Sequence, residues 1–179
     1  MKRIITIAAM LVLTVTLSAQ EDATTFLGIP VDGPRASVIR SLEDKGFVRS
    51  GRDVLTGDVD GKRHTVRVMA HKGKVYRIAV TEEKGTTVVG IAVQKYNTLI
   101  GQYKDNSDYT EYETNRLISV TDNGSHRRNI AEGWYYAEFF QKADPQLYDR
   151  LVSVTITDED GDYRIRRCYD NIKNSPEER

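Results

Sequence analysis

Cysteine is almost absent from this chain of 179 residues, which contains only Cys168. A single thiol cannot close an intramolecular disulfide, so the fold has to be held by burial of apolar side chains. Cys168 lies in the strand-like segment 163–169, and no motif around it supplies the base that would activate a thiol. The sequence therefore predicts a structural role for Cys168.

Catalytic and metal-binding motifs are also missing. His64, His71 and His126 have no metal-ligand spacing, and we expect them on the surface or in turns. No serine stands in a G-x-S-x-G or S-x-x-K context, and no glycine-rich phosphate loop is present. The acidic run 158–162 lacks the spacing of a calcium loop and is typical of a hairpin turn. We therefore predict no metal, no cofactor and no enzymatic activity.

Neither sign of charge is in excess, because the chain has 26 Lys and Arg against 26 Asp and Glu. General nucleic-acid binders and proteins drawn electrostatically to membranes carry a marked basic excess. The balance excludes both classes. It leaves a protein or a cell-envelope component as the expected partner, while the oligomeric state stays open.

No hydrophobic run is long enough to span a bilayer. The apolar segment from Ile4 to Leu17 falls short of the about 20 residues that a transmembrane helix needs. It follows Lys2 and Arg3 and ends at Ala19, which is the layout of a secretory signal peptide. We predict a signal peptide over 1–19, with a transmembrane anchor as the competing interpretation, a single domain over 20–179, and a periplasmic or secreted location. Gln20 stands where a lipoprotein would have cysteine, so no membrane anchor is expected after cleavage.

Two segments of helical periodicity alternate with segments of period-two alternation. Apolar residues at helical spacing predict helices over 34–45 and 87–104, and Gly46 is expected to end the first of them. Strands are predicted over 54–59, 64–70, 75–81, 134–141, 151–158 and 162–169. Hairpin turns are expected at Asp60-Gly61, at Lys72-Gly73 and around Gly161. In the least regular region, 109–112 and 116–120 are short candidate strands and Asn123-Gly124 is a turn.

This order predicts an α+β fold with an antiparallel sheet of six or seven strands and two helices packed on one face. Its two helix-plus-three-strand halves, 26–84 and 86–170, echo each other in sequence, as in 75–78 and 163–166. Two interpretations stay open, a degenerate duplication and two unrelated halves.

Two stretches carry a resemblance to known proteins. The segment 26–33 with the helix end Lys45-Gly46-Phe47 resembles the opening of a family of uncharacterised small secreted proteins of Gram-negative bacteria. The closing segment 166–171 with Asn174 resembles the way members of that family end. The resemblance implies an exported protein and no catalytic residues. The helix-then-sheet repetition also looks like the β-lactamase-inhibitor-protein architecture, an analogy of fold alone.

Arginine and aromatic side chains form the candidate site. Strand alternation places several arginines opposite the apolar face of the sheet, and aromatic residues crowd the strand after residue 133. Such a face suits recognition, because arginine and tyrosine bind strongly at interfaces. We predict an exported non-enzymatic, inhibitor-like binding domain. The alternatives are an enzyme or binding module for envelope or dietary polysaccharide, with Trp134 stacking on sugars, and a structural envelope protein. The predicted binding residues are Arg67, Arg77, Arg164, Arg166, Trp134, Tyr135 and Tyr136.

Overall fold

The protein combines helices with one large antiparallel sheet, as a computed structural model describing residues 23–112, 123–141 and 149–176 shows. Within these residues, three α-helices accompany an eight-stranded sheet and a separate two-stranded one. The predicted α+β class with an antiparallel sheet is confirmed. The predicted signal peptide and the candidate strand 116–120 lie outside the described residues.

The elements follow one another with short connections. The helices are α1 (Arg35–Asp44), α2 (Val89–Asp105) and α3 (Asn123–Ala131). The strands are β1 (Thr25–Phe26), β2 (Ile29–Pro30), β3 (Val48–Arg49), β4 (Val54–Val59), β5 (Lys62–His71), β6 (Lys74–Glu82), β7 (Tyr109–Glu111), β8 (Tyr136–Gln141), β9 (Arg150–Glu159) and β10 (Asp162–Asn171).

The first helix ends as its sequence predicts. Gly46 has a φ of 90°, a left-handed conformation that glycine adopts without steric cost. Its N–H donates to the carbonyl of Glu43 at 2.9 Å, and the N–H of Phe47 donates to Leu42 at 3.1 Å. These two bonds form a Schellman motif, which turns buried Phe47 back toward the core. The helix buries the predicted apolar stripe of Val38, Ile39 and Leu42.

Two meanders meet at the centre of the large sheet. The strand order is β3-β4-β5-β6-β10-β9-β8-β7, so each meander runs from one edge inward, and β6 pairs antiparallel with β10. Three hairpins turn at the predicted dipeptides, where both residues have positive φ angles. Turns of this kind match the twist of antiparallel strands. They are Asp60-Gly61, Lys72-Gly73 and Asp160-Gly161.

The core lies on one face of the large sheet, here called the inner face. Helix α1 contacts β5 and β6, whereas α2 contacts β7, β9, β10 and α3. Alternate residues of the central strands are buried there, including Val66, Ile78, Val80, Val154 and Ile165. The remaining residues of these strands form the outer face. This alternation decides which of the arginines reach solvent.

Three expectations from the sequence are wrong. The sheet has eight strands rather than six or seven, and the chain forms α3 where Asn123-Gly124 predicts a turn. Helix α3 buries His126 and Ile130 and contacts α2 and β9, and this burial overrides the local turn preference. His64 is buried as well, so the expected surface position of the histidines holds for neither His64 nor His126.

Candidate functional site

The outer face carries part of the predicted binding surface. Arg166 on β10 pairs with Thr81 on β6 to one side and with Thr155 on β9 to the other. Thr155 in turn pairs with Tyr136 on β8. Arg166 and Tyr136 are therefore two strand spacings apart, about 10 Å. Arg67 is exposed on β5 and forms no ion pair within the described part of the chain. The structure thus brings arginine and tyrosine to one face.

Arg77, also predicted for binding, is engaged in a structural ion pair on that face. Its Nε and one terminal nitrogen donate to the two carboxylate oxygens of Asp170 at 2.5 and 3.1 Å. The Asp170 side chain is only 7% exposed. Hydrogen bonding to this carboxylate, which outweighs the effect of burial, raises the pKa of Arg77. A bidentate pair of this kind leaves the guanidinium little capacity for a partner.

Arg164 and Arg166 also pair with acids of their own hairpin. Arg164 contacts Glu159 at 2.9 Å and Asp162 at 2.8 Å, and the hydrogen bond to Asp162 raises the pKa of Arg164. Arg166 lies 3.8 Å from Glu159. These pairs are solvent-accessible and therefore weak. A partner could replace them more easily than the Arg77–Asp170 pair.

The three predicted aromatic residues lie in different environments. Trp134 is 65% exposed and precedes β8, so its assignment to sugar stacking stays a prediction. Tyr135 is fully buried, packs edge-on against Tyr96 at 5.6 Å between ring centroids, and hydrogen-bonds to His126. Tyr135 therefore cannot take part in an open binding face. Tyr136 is exposed, and its hydroxyl donates to Glu138.

A second arginine site, which the sequence analysis did not select, lies on the inner face. Arg167 occupies a core-facing position of β10, with buried Val80 and Val154 as its neighbours across the two ladders. Its side chain is 10% exposed. The sequence could have indicated this position, because Arg167 alternates in register with Tyr163, Ile165 and Tyr169 and so shares their face of β10.

Arg167 lies between two cavities that together form what we call the Arg167 cleft. The tyrosine cavity, of about 510 Å³, is lined among others by Phe26, Leu99, Tyr103, Tyr109 and Tyr169. The lysine cavity, of about 420 Å³, is lined among others by Lys62, His64, Glu82 and Lys95. Both are also lined by Asp60, Leu99, Gln102 and Arg167. Their volumes fall within the range of small-molecule sites, about 300–1,000 Å³.

Arg167 has one carboxylate partner and one imidazole partner. One terminal nitrogen lies 3.3 Å from the carboxylate of Asp60, whose side chain is 79% exposed. The other lies 3.4 Å from Nε2 of His64. Burial disfavours the charged form of Arg167, but Tyr169, Tyr103 and Asp60 together hold its pKa above the ordinary value. Arg167 is thus a buried cation with one long contact to an exposed anion.

His64 is held as a neutral acceptor beside this cation. Its Nδ1 lies 2.8 Å from the carbonyl oxygen of Lys62, so Nδ1 carries the proton and donates. Nε2 is then free of a proton and accepts from Arg167. Burial lowers the pKa of His64, and the charge of Arg167 lowers it further.

Tyrosine hydroxyls provide neutral donors at the cleft. The hydroxyls of Tyr103 and Tyr169 are 3.2 Å apart and buried. Burial raises the pKa of Tyr103 well above its usual value, and Tyr169 adds to this. Burial also raises the pKa of Tyr109, whose hydroxyl accepts from Gln141 at 3.1 Å. Burial thus keeps the hydroxyls of Tyr103 and Tyr109 protonated near neutral pH, so that they can, like Arg167, donate hydrogen bonds to an anion.

Comparisons with known proteins give no match. No protein-family model matches the chain, and no curated protein or solved structure is significantly similar to it. Among residues 23–112, 123–141 and 149–176, no helix is long and apolar enough to cross a membrane. In the same ranges, no three His, Cys, Asp or Glu side chains are grouped to hold a metal ion.

Proposed function

We propose that this protein is an exported, non-enzymatic binding protein that holds a small anionic ligand in the Arg167 cleft. The observation that carries the proposal is the position of Arg167, whose side chain is 10% exposed, lines both cavities and has a mostly exposed carboxylate as its ion-pair partner among the described residues. Burying an ion costs several kcal/mol unless a close, well-oriented counter-ion compensates it. Asp60 contacts Arg167 at 3.3 Å, but its side chain is 79% exposed, whereas a ligand anion in the cleft would contact the guanidinium away from bulk water.

The contrast with Arg77 supports a ligand-binding role. Arg77 is less buried, with 36% of its side chain exposed, and yet it has a bidentate carboxylate partner. Arg167 is more deeply buried and has no such partner among the described residues. A guanidinium that served only the fold would be expected to have the pairing of Arg77.

A non-enzymatic role fits the titration behaviour of the cleft. A general base needs a pKa near the working pH and an accessible lone pair. The pKa of Tyr103 and that of Tyr109 are raised away from neutrality. The Nε2 lone pair of His64 is occupied by Arg167. These groups are suited to holding a ligand rather than to exchanging protons with it.

Export and internal duplication complete the proposal. We base periplasmic or extracellular location on the signal-like segment 1–19. We also infer a degenerate duplication into 26–84 and 86–170, in which α1 and α2 correspond and lie on one face, and α3 is an addition to the second half. The support for it is the strand order, in which the two meanders run inward from opposite edges to β6 and β10.

The test is thermal denaturation of the purified protein with a panel of small anions. A ligand at a hundredfold excess over its Kd adds about 2.7 kcal/mol, or about 5–10 °C in a domain of this size. We expect at least one anion to raise the Tm of the wild type and of the Arg67→Gln control. The same anion should leave the Tm of Arg167→Gln unchanged. No shift with any anion, or an equal shift in Arg167→Gln, would refute the proposal.

A second candidate is a protein or envelope partner on the outer face, the function expected from sequence. The row from Arg166 to Tyr136 and exposed Arg67 favour it. Replacing Arg67, Arg164 and Arg166 together with alanine should abolish capture of such a partner. The Tm should change little, because Arg67 is exposed and the ion pairs of Arg164 and Arg166 are solvent-accessible and weak. Unchanged capture by the triple variant would argue against this face. Arg77 is left intact because its removal would disturb the fold.

A further inference from the structure

We infer that His64 couples anion binding in the Arg167 cleft to the uptake of a proton, so that the cleft binds its ligand more tightly as the pH falls. This coupling rests on the proposed function and adds the regulation of the same site. The proton comes from solvent and not from the ligand, so no enzymatic step is involved. Two features of the structure carry the coupling: the hydrogen bonds that hold the imidazole, and the charged groups around it.

The imidazole of His64 can gain a proton at only one of its two nitrogens. Its Nδ1 already carries a proton, which it donates to the carbonyl oxygen of Lys62 at 2.8 Å. Its Nε2 accepts from a terminal nitrogen of Arg167 at 3.4 Å. Protonation therefore occurs at Nε2 and replaces this hydrogen bond by two N–H groups that point at each other. The protonated pair needs an acceptor, and an oxyanion in the cleft supplies one.

Both donors of this pair belong to one cavity. His64 and Arg167 line the lysine cavity, of about 420 Å³, together. An oxyanion has at least two oxygen atoms, so it can accept from Nε2–H with one and from the guanidinium with another. The bound anion then favours the protonated form of His64. Protonation favours the anion by the same factor, because coupling between two binding events is reciprocal.

Charged side chains from four parts of the fold surround His64 in this cavity. Burial lowers the pKa of His64, the hydrogen bond to Lys62 raises it, and the charge of Arg167 lowers it again. An anion that neutralises Arg167 takes away one of the two lowering effects, so it raises the pKa of His64. Glu82 and Asp60 act in the same direction as the anion. The charged groups are Asp60 and Lys62 of the β4–β5 hairpin, Glu82 of β6, Lys95 of α2 and Arg167 of β10.

Isothermal titration calorimetry with sulfate at pH 5.5 and pH 7.5 tests the coupling. Sulfate is the probe because it does not titrate over this range, so any change in affinity comes from the protein. Uptake of one proton changes affinity by tenfold per pH unit at most. We expect the wild type to bind sulfate about threefold to tenfold more tightly at pH 5.5 than at pH 7.5 when the ionic strength is held constant.

Three variants connect the pH dependence to His64. His64→Gln has an amide oxygen that can accept from Arg167 but cannot be protonated, so its sulfate affinity should change by about twofold at most between the two pH values. His71→Gln, at the end of β5 and outside both cavities, should keep the dependence of the wild type. Arg167→Gln should lose sulfate binding at both pH values. Far-UV circular dichroism checks that each variant is folded at pH 5.5.

Imidazole proton resonances give a readout that a purely structural role of His64 would not move. The His64 signal is assigned by its loss in His64→Gln. In the wild type, this signal should titrate at a higher pH with sulfate present than without it. In Arg167→Gln, sulfate should leave the titration of the same signal unchanged, because the anion is no longer held beside the imidazole.

The outcomes separate the coupling from the proposed function. If sulfate binds through Arg167 with equal or lower affinity at pH 5.5, the coupling is wrong while anion binding stands. The same holds if His64→Gln shows the pH dependence of the wild type, or if sulfate leaves the His64 titration unchanged. If sulfate does not bind at either pH, the coupling is wrong as well. The proposed function fails with it only if no anion in the thermal panel shifts the Tm.

Discussion

Replacing Arg167 with methionine is expected to change the stability of the protein little or to raise it, whereas the same change at Arg77 should clearly destabilise it. Both arginines lie on the paired central strands β6 and β10, but on opposite faces of the sheet. Methionine retains a long apolar side chain at each position and removes the charge. The comparison therefore isolates how well each guanidinium is compensated in the folded state.

The magnitudes follow from the contacts. At Arg167, methionine removes a buried charge and gives up two long hydrogen bonds, to Asp60 at 3.3 Å and to His64 at 3.4 Å. Replacing buried ionic groups by apolar ones is neutral to stabilising by about 1–4 kcal/mol, and two lost bonds of about 1 kcal/mol each reduce this. We expect a net change between a loss of about 1 kcal/mol and a gain of about 2 kcal/mol for Arg167→Met.

At Arg77, methionine leaves the carboxylate of Asp170 without its bidentate cation. That carboxylate is 7% exposed, while Arg77 is 36% exposed. Breaking a buried pair costs about 3–5 kcal/mol, and partial solvation of Arg77 reduces this to about 2–3 kcal/mol. The two variants should therefore differ by about 1–5 kcal/mol, which corresponds to about 2–20 °C in Tm for a domain of this size.

Urea unfolding at pH 7.5, followed by far-UV circular dichroism, measures both free energies of unfolding. Trp134 is exposed, so its fluorescence is a poor reporter of folding. Equal m values in the two variants would show that only stability has changed. If Arg167→Met loses as much stability as Arg77→Met, Arg167 is a structural residue, and the reasoning that assigns it to a ligand is refuted.

Two further predictions concern the protonation of His64 and the packing around two glycines. Because the pKa of folded His64 lies below 6.5, the unfolded chain binds more protons just below that pH. The His64 contribution to stability should therefore be complete above pH 6.5 and decline as the pH falls through it. Melts at pH 8 and 5.5 should show a steeper loss in wild type than in His64→Gln, and equal losses would contradict this. Gly85→Ala should cost about 1–3 kcal/mol, because its Cβ would lie 2.5 Å from the Tyr163 carbonyl oxygen and close to Asp162. Gly101→Ala, in open space on α2, should instead stabilise by about 0.5–1 kcal/mol; equal Tm shifts for the two alanines would contradict the packing argument.

Local sequence signals predicted those elements that short-range chemistry controls. Asp60-Gly61 and Gly46 specify their turns because few residues tolerate a positive φ. Helix α3 was missed because nothing local opposes a turn at Asn123-Gly124. Its burial of His126 against distant elements decides the outcome.

The same difference between local and long-range control applies to the candidate site. Strand alternation correctly placed Arg67, Arg77, Arg164 and Arg166 opposite the apolar face. It could not show that Asp170 on β10 neutralises Arg77 on β6, since the two are joined only by strand pairing. Nor could it show that Tyr135, just before β8 begins, is buried.

By itself, the sequence determined the α+β class, the hairpin turns and the phase of each long strand, because these depend on neighbouring residues and on alternation. It also placed Arg167 in an inward phase. Only the tertiary structure decided that Arg167 stands over two cavities beside Asp60, His64 and a pair of tyrosine hydroxyls. Those groups come from β10, from the β4–β5 hairpin and from α2, which are far apart in the sequence. Whether a buried charge is compensated depends on distances in space, which sequence spacing does not contain.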